Sequence, residues 1–269
     1  MSSPWTDLSR PPLSGLRLQR RLGDGKVWRD VRVVASTGST NADVAAEARA
    51  GAAEGLVLLA EEQTGGRGRL ARSWESPPRA GVYVSVLLRP TTGTATWPLL
   101  TLLTGLAVVE AVVGVGRVPA RLKWPNDVLV GGQKLAGILA ERVDDAVVVG
   151  IGINVSTRVD ELPATGTSLA IAGGSTDREI VAAEILRALH RRYVAWRDTD
   201  GSGSSVLSSY REMCETIGSD VTVELPGGHV VMGVASGVDD AGRLVVREST
   251  GAPPRSFTAG DVTHVRRPA

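Results

Sequence analysis

The stretch from Trp97 to Val115 is apolar almost throughout, and Glu110 is its one charge. A helix that is apolar all round has to be covered all round, by lipid or by other layers of the same protein. Thr101, Thr104, Gly105 and Gly114 interrupt the run. Together with Glu110 they mark a helix over 97–114 buried in a protein core, not a membrane span. The chain therefore has to fold several elements around this helix. Its 269 residues, 42% hydrophobic, suffice for one large domain and a small one.

Composition removes several classes of function. The formal net charge is +1, so no global basic field draws in nucleic acid. Cys214 is the only cysteine, which excludes an internal disulfide and a cysteine-cluster metal site. His190, His229 and His264 lie far apart and show no zinc spacing, so metal ligands stay unassigned. The first residues, Met-Ser-Ser-Pro-Trp-Thr-Asp, have neither a basic nor an apolar leader region. The expectation is a cytoplasmic protein with no membrane partner.

Along the chain, residues 1–29 are rich in Pro, Arg and Leu without a clear period and read as an arm on the surface. A short strand over Val31–Val34 leads to a hydroxyl-rich turn, with Thr40 or Asn41 capping a helix over 42–50 that ends at Gly51. Strands follow at 56–60 and 82–88, then the apolar helix, a strand edge at 121–124 and a turn at Pro125-Asn126-Asp127. Val128–Val130, the Gly131-Gly132 turn and 134–141 read as a hairpin, and 146–153 as a further strand. Thr176 and Glu179 have the spacing of a capping box for a helix over 177–196, and a shorter helix spans 206–216. Beyond Gly218 the pattern changes to short strands at 221–225, 230–236, 244–248 and 256–258, separated by turns at Pro226-Gly227-Gly228 and at 239–242. That spacing suits a small barrel of about five strands. The expected divisions are an arm at 1–29, a large domain at 30–217 and a small one at 218–269.

Four constellations carry chemistry. Gly65-Gly-Arg-Gly-Arg-Leu-Ala-Arg-Ser-Trp74 joins flexible glycines to Arg67, Arg69 and Arg72. Backbone N–H groups and planar guanidinium donors suit phosphate or carboxylate oxygens; a plain solvated basic loop is the alternative. Ser39-Thr40-Asn41 offers small polar groups fit for a urea or carboxamide, or simply helix caps. Lys123-Trp-Pro-Asn-Asp127 and Lys134-Leu-Ala-Gly-Ile-Leu139 crowd charge at strand ends, where Lys134 either neutralises an anion or only adds solubility. Gly150-Ile-Gly-Ile-Asn154 lacks the third glycine of a dinucleotide fingerprint; it reads as close backbone approach to a ligand or as tight packing. No P-loop and no Ser-His-Asp arrangement stands out.

In this order and spacing, with Gln63 ahead of the loop, the five motifs resemble the biotin protein ligases (biotin–[acetyl-CoA-carboxylase] ligases), over 31–155 and again over 218–264. The resemblance implies an α+β fold: a mixed β-sheet flanked by helices, related to class II aminoacyl-tRNA synthetases, plus a small C-terminal SH3-like β-barrel. It implies activation of biotin by ATP with Mg2+ to biotinyl-5′-AMP. Biotin then passes to a lysine on the biotin carboxyl carrier domain of an acyl-CoA carboxylase. By the same resemblance Ser39, Thr40, Asn41, Gln63, Arg67, Gly68, Arg69, Lys134, Gly137 and Ile138 bind biotin. Arg67, Arg69, Arg72, Trp74, Asn126, Lys134 and Asn154 take the nucleotide. Arg67 and Lys134 manage charge, and Asp127 is the candidate to accept the proton of the acceptor lysine.

Two departures from the family pattern matter. Ala71 stands at a usual glycine, with Leu70 beside it, which costs flexibility if that position needs positive φ. Some family members also carry an N-terminal helix-turn-helix. About 30 residues precede the core here without a two-helix pattern, so no DNA partner is expected. Competing readings are a lipoate or octanoate ligase on the same fold, a nucleic-acid-binding module, and a biotin sensor without catalysis. The near-zero charge and the absence of aromatics in the loop before Trp74 count against nucleic acid.

Overall fold

The computed structural model describes residues 7, 9–23, 27–225, 228–248, 253–258 and 260–264. The first six residues and most of the expected turn at Pro226-Gly227 lie outside them.

Seven strands form one mixed sheet: β1 (Asp30–Val34), β2 (Leu56–Ala60), β3 (Gly81–Leu88), β4 (Arg121–Lys123), β5 (Asp127–Val130), β6 (Gln133–Val143) and β7 (Ala146–Asn154). Their order is β1-β2-β3-β7-β6-β5-β4. Only β1 and β2 run parallel, which requires a crossover. The crossover is α2 (Thr40–Arg49), and it lies on one sheet face, where Val44, Ala45 and Ala48 cover Leu58, Leu87 and Val148. The other face carries the larger core, built with α1 (Gly15–Leu22), α3 (Leu99–Ala111), α4 (Arg178–Asp198) and α5 (Ser204–Met213).

The apolar run has the fate its composition demands. α3 is buried on nearly every side, packed against α4, α5 and β6, and runs into a π-helical turn at Val112–Gly116. Leu99–Gly116 is long and apolar enough to cross a membrane, yet most of it is buried inside the protein.

A second sheet is antiparallel, with β8 (Asp220–Glu224), β9 (Val230–Val238), β10 (Leu244–Glu248), β11 (Arg255–Phe257) and β12 (Asp261–His264) in the order β11-β10-β9-β8-β12. It is fixed to the larger unit by Trp124 Nε1 donating to Gly242 O at 3.0 Å and Arg211 Nε to Val238 O at 2.8 Å.

The elements correct four local expectations. Residues 1–29 are not only an arm: α1 forms, with Ser14 as N-cap accepting from Arg17 N and with Leu18 fully buried. Ser39, not Thr40 or Asn41, is the N-cap of α2, so the next two side chains sit in the first turn, free for other partners. Asp177 caps α4 directly, accepting from Glu179 N and Ile180 N, and the Glu179 carboxylate instead binds Arg17 and Arg21. β12 is a strand that the short sequence after Thr258 did not announce.

Candidate functional site

A strand's side chains alternate between faces, and along β7 this places Val148, Gly150 and Gly152 in one row. Val148 lies under α2. Past it the row needs glycine, because other groups lie on the backbone. A Cβ at Gly150 would stand 2.1 Å from Asn41 Oδ1, and one at Gly152 2.6 Å from Trp74 Cε2. Register extends the row sideways: Gly150 faces Ser85 on β3 and Leu139 on β6, and Gly152 faces Gly137. The result is a shallow floor centred on Gly137, Gly150 and Gly152, with the first turn of α2 at one end and Trp74 at the other.

One cavity stands on this floor. It is lined by Ser39, Thr40, Asn41, Gln63, Arg67, Gly68, Arg69, Arg72, Trp74, Asn126, Asp127, Lys134, Gly137 and Ile138, every residue expected at the site except Asn154. Leu70, Gly260 and Asp261 line it too. Asn154 is buried on an adjoining hollow shared with Trp74 and Lys134, where its Nδ2 donates to Thr167 O at 3.0 Å.

At the α2 end the groups that line the cavity are neutral and held in a fixed network. Thr40 N donates to Gln63 Oε1 at 2.9 Å, and Gln63 Nε2 to Ser76 Oγ at 3.0 Å. The Ser85 hydroxyl sits 2.7 Å from Thr40 Oγ1 and 2.6 Å from Asn41 Oδ1. Buried and mutually bonded, these groups form a preorganised polar patch of the sort that recognises a neutral amide-like ring.

The mouth is charged, and its cations have partners. Lys134 Nζ lies 2.7 Å from Asp127 Oδ1 and 5.5 Å from the Trp74 ring centre. Arg67 reaches Glu141 at 3.3 Å, Arg69 donates to Asn126 Oδ1 at 3.3 Å, and Arg72 pairs with Asp261. Burial pushes the Arg69 guanidinium down from its ordinary value. The hydrogen bond from Arg72, then the charges of Arg72, Lys123 and Arg69, hold the Asp261 carboxyl below the usual range. Four cations around one cavity suit a polyanion that displaces their internal partners.

The Gly65–Trp74 loop arches back on itself: Trp74 N donates to Gly66 O and Gly68 N to Arg72 O. Its left-handed residue is Leu70, at φ 55° and ψ 39°, a conformation L side chains seldom adopt. Sequence reasoning missed Ser85, Ser76, Glu141 and Asp261. Ser85 had a signal, as the one small polar residue in the strand Val82–Leu88. Asp261 had none. Cys214 is buried and burial pushes its thiol up, so it is no nucleophile for this cavity.

The donor set fits a divalent cation carried on a triphosphate rather than held in its own cage. Among the described residues no three metal-ligating side chains cluster, while Asp127 and Asp261 are the carboxylates lining the cavity.

Comparison with known proteins gives one answer. The biotin/lipoate A/B protein ligase family matches residues 33–157, and the biotin protein ligase C-terminal domain matches 216–265. A biotin–[acetyl-CoA-carboxylase] ligase of Mycobacterium tuberculosis is 44% identical over 97% of this chain and 98% of its own length. One of the same name from Paracoccus denitrificans is 32% identical over 81% of this chain and 95% of its own. Among solved structures, a biotin protein ligase from Aquifex aeolicus in complex with biotin and ATP superposes with a TM-score of 0.76 at 27% identity, covering 89% of this chain and all of that one.

Proposed function

The chain belongs to the biotin protein ligase family, and on that premise we propose that it activates biotin with ATP and transfers it to a lysine of a biotin carboxyl carrier domain. One observation carries this reading: a neutral polar patch and a cluster of cations meet in a single cavity over a glycine floor. Biotin has the same two halves, an uncharged ureido ring and a carboxylate.

In this reading the ring lies against Ser39, Thr40, Asn41 and Gln63, and the carboxylate points toward Lys134. A carboxylate oxygen attacks the α-phosphorus of ATP, the bond to the β-phosphate breaks, and pyrophosphate leaves. Two anions have to approach, so the charge must be met. Lys134 turns from Asp127 to the phosphoryl oxygens, and Arg67, Arg69 and Arg72 exchange internal partners for phosphate. Asp127 or Asp261 would offer an oxygen ligand to a Mg2+ bound with the triphosphate, and that ion would neutralise part of the phosphate charge. Trp74, set on Gly152, covers the adenylate and keeps water from the mixed anhydride. Asn126 has its Nδ2 committed to Ile138 O, so its carbonyl is the group turned to Arg69 or to the nucleotide. Asn154 serves the nucleotide through its free carbonyl, from the adjoining hollow.

In the second half-reaction the acceptor amine attacks the biotinyl carbonyl carbon and AMP leaves. Asp127, released by Lys134, accepts the proton. A near-neutral chain offers no global basic field for DNA, and a carrier protein is the acceptor in this reading.

The test is transfer of labelled biotin to a carrier domain with Mg-ATP, run against lipoate as competitor. Label on the carrier, unaffected by lipoate, is expected. Labelled lipoate in its place, or no acyl-adenylate at all, would overturn the assignment. Asp127→Asn that forms adenylate normally but transfers slowly supports the proton role; normal transfer rejects it.

A further inference from the structure

Ring recognition and the loop meet at one side chain that has no role in the reaction above. Glu141 lies on β6 beside Leu139 and Gly137 on the cavity face, opposite Val148. Its Oε2 accepts from Asn41 Nδ2 at 2.7 Å and from Arg67 Nη2 at 3.3 Å. Asn41 donates its other amide proton to Leu139 O at 3.2 Å, while Ser85 Oγ sits on its Oδ1 at 2.6 Å. Both Asn41 protons are therefore committed, and the one open position on the amide is a lone pair at Oδ1.

The orientation is not arbitrary. An ionised carboxylate only accepts, so a flipped Asn41 would set its carbonyl against the lone pairs of Glu141 and of Leu139 O. The Asn41 contact is short and its asparagine is buried, which makes it the stronger of the two. The contact to Arg67 is long and half-exposed, which makes it exchangeable.

We propose that Glu141 is a positioning residue: its carboxylate fixes the Asn41 amide as an acceptor for a ring N–H, and the same oxygen tethers Arg67 of the loop. This rests on the biotin ligase reading above. Two substitutions separate the two contacts. Glu141→Gln keeps an acceptor for Asn41 and loses the charge for Arg67; Glu141→Ala loses both.

The experiment is biotin titration calorimetry with limited trypsin digestion of the loop arginines, on the full chain. Glu141→Ala is expected to weaken biotin binding about tenfold or more. Glu141→Gln is expected to stay within about threefold of the parent, while both variants are cut faster in the loop without biotin. Because the residue acts through Asn41, Glu141→Ala is expected to add less than about twofold in an Asn41→Ala background. Parent-like affinity in Glu141→Ala, or losses that multiply with Asn41→Ala, overturn the proposal. If Glu141→Ala lacks a cooperative melt, Glu141→Met, which keeps the bulk without polar atoms, carries the same comparison. A parent protein that makes no biotinyl-adenylate brings down the functional reading and this proposal together; a parent that makes it beside an indifferent Glu141→Ala brings down the proposal alone.

Discussion

Lys134 and Asp127 meet at 2.7 Å at the mouth of the cavity, so removing either leaves the other uncompensated. Lys134→Ala is expected to slow adenylate formation by roughly 10²- to 10³-fold, the usual loss for one charge-stabilising donor. Biotin binding should change far less, because ring contacts lie at the other end; pyrophosphate release and calorimetry check the two halves. Gly152→Ala makes a different prediction. Its Cβ would lie 2.6 Å from Trp74 Cε2, so the indole must leave its seat. Misplacing a covering group by about an ångström costs on the order of 10²-fold, here expected in the lifetime of bound biotinyl-adenylate, followed by rapid filtration. These residues were legible in the sequence because each announces its chemistry: an arginine among glycines, a lysine after a glycine turn, a glycine pair in a strand. Ser85 stood out only as a polar residue in an apolar strand, and Glu141 not at all. Their roles depend on which strand lies beside which, and register is a long-range fact that no local pattern carries.

The loop is the element whose behaviour decides the chemistry, and the second sheet holds it. Asp261 starts β12 and pairs with Arg72, tying the arch to a sheet nearly two hundred residues away in sequence. Because that pairing lowers the Asp261 pKa, the tie is complete above the ordinary aspartate value of ~3.9. It is lost only as pH falls through the lowered folded value. Over pH 5–9 it therefore holds. Arg72 is well exposed, so Asp261→Asn is expected to change global stability by less than about 1 kcal/mol. It should nonetheless speed trypsin cleavage in the loop several-fold at pH 8. Unchanged cleavage would mean that Leu70 and the backbone bonds shape the arch unaided. At this scale the seven-stranded sheet was legible from apolar runs and glycine turns. α1 was not, since two turns offer too few apolar positions to set a period, and β12 was hidden by its brevity.

For the whole molecule, the N-terminal segment decides how firmly the sheet end beneath Gln63 is held. Arg178 Nη1 lies 2.7 Å from Glu61 Oε2, with side chains only 3% and 5% exposed. Its Nη2 donates to Pro11 O, and Glu61 Oε1 accepts from Leu13 N at 2.6 Å. Arg10 reaches Ser156 O at 2.7 Å and pairs with Glu161, and Trp28 Nε1 donates to Leu186 O at 2.8 Å. One buried pair thus gathers the segment before α1, the end of β2, the start of β3 and the first turn of α4. Removing one member strands a charge where water cannot reach. Arg178→Ala is therefore expected to cost about 3–5 kcal/mol in urea unfolding. The double replacement Arg178→Met with Glu61→Met removes both charges and should recover part of that loss. It still leaves Leu13 N and Pro11 O without partners, so recovery stays incomplete, and the residual deficit measures how much of the strap is backbone. Glu110 with Arg191 and Arg192 is the contrast: an exposed cluster on α3 and α4 whose loss should stay under about 1 kcal/mol. Equal costs at the two places would mean that the buried pair is hydrated in solution and that the strap is held by α1 packing alone.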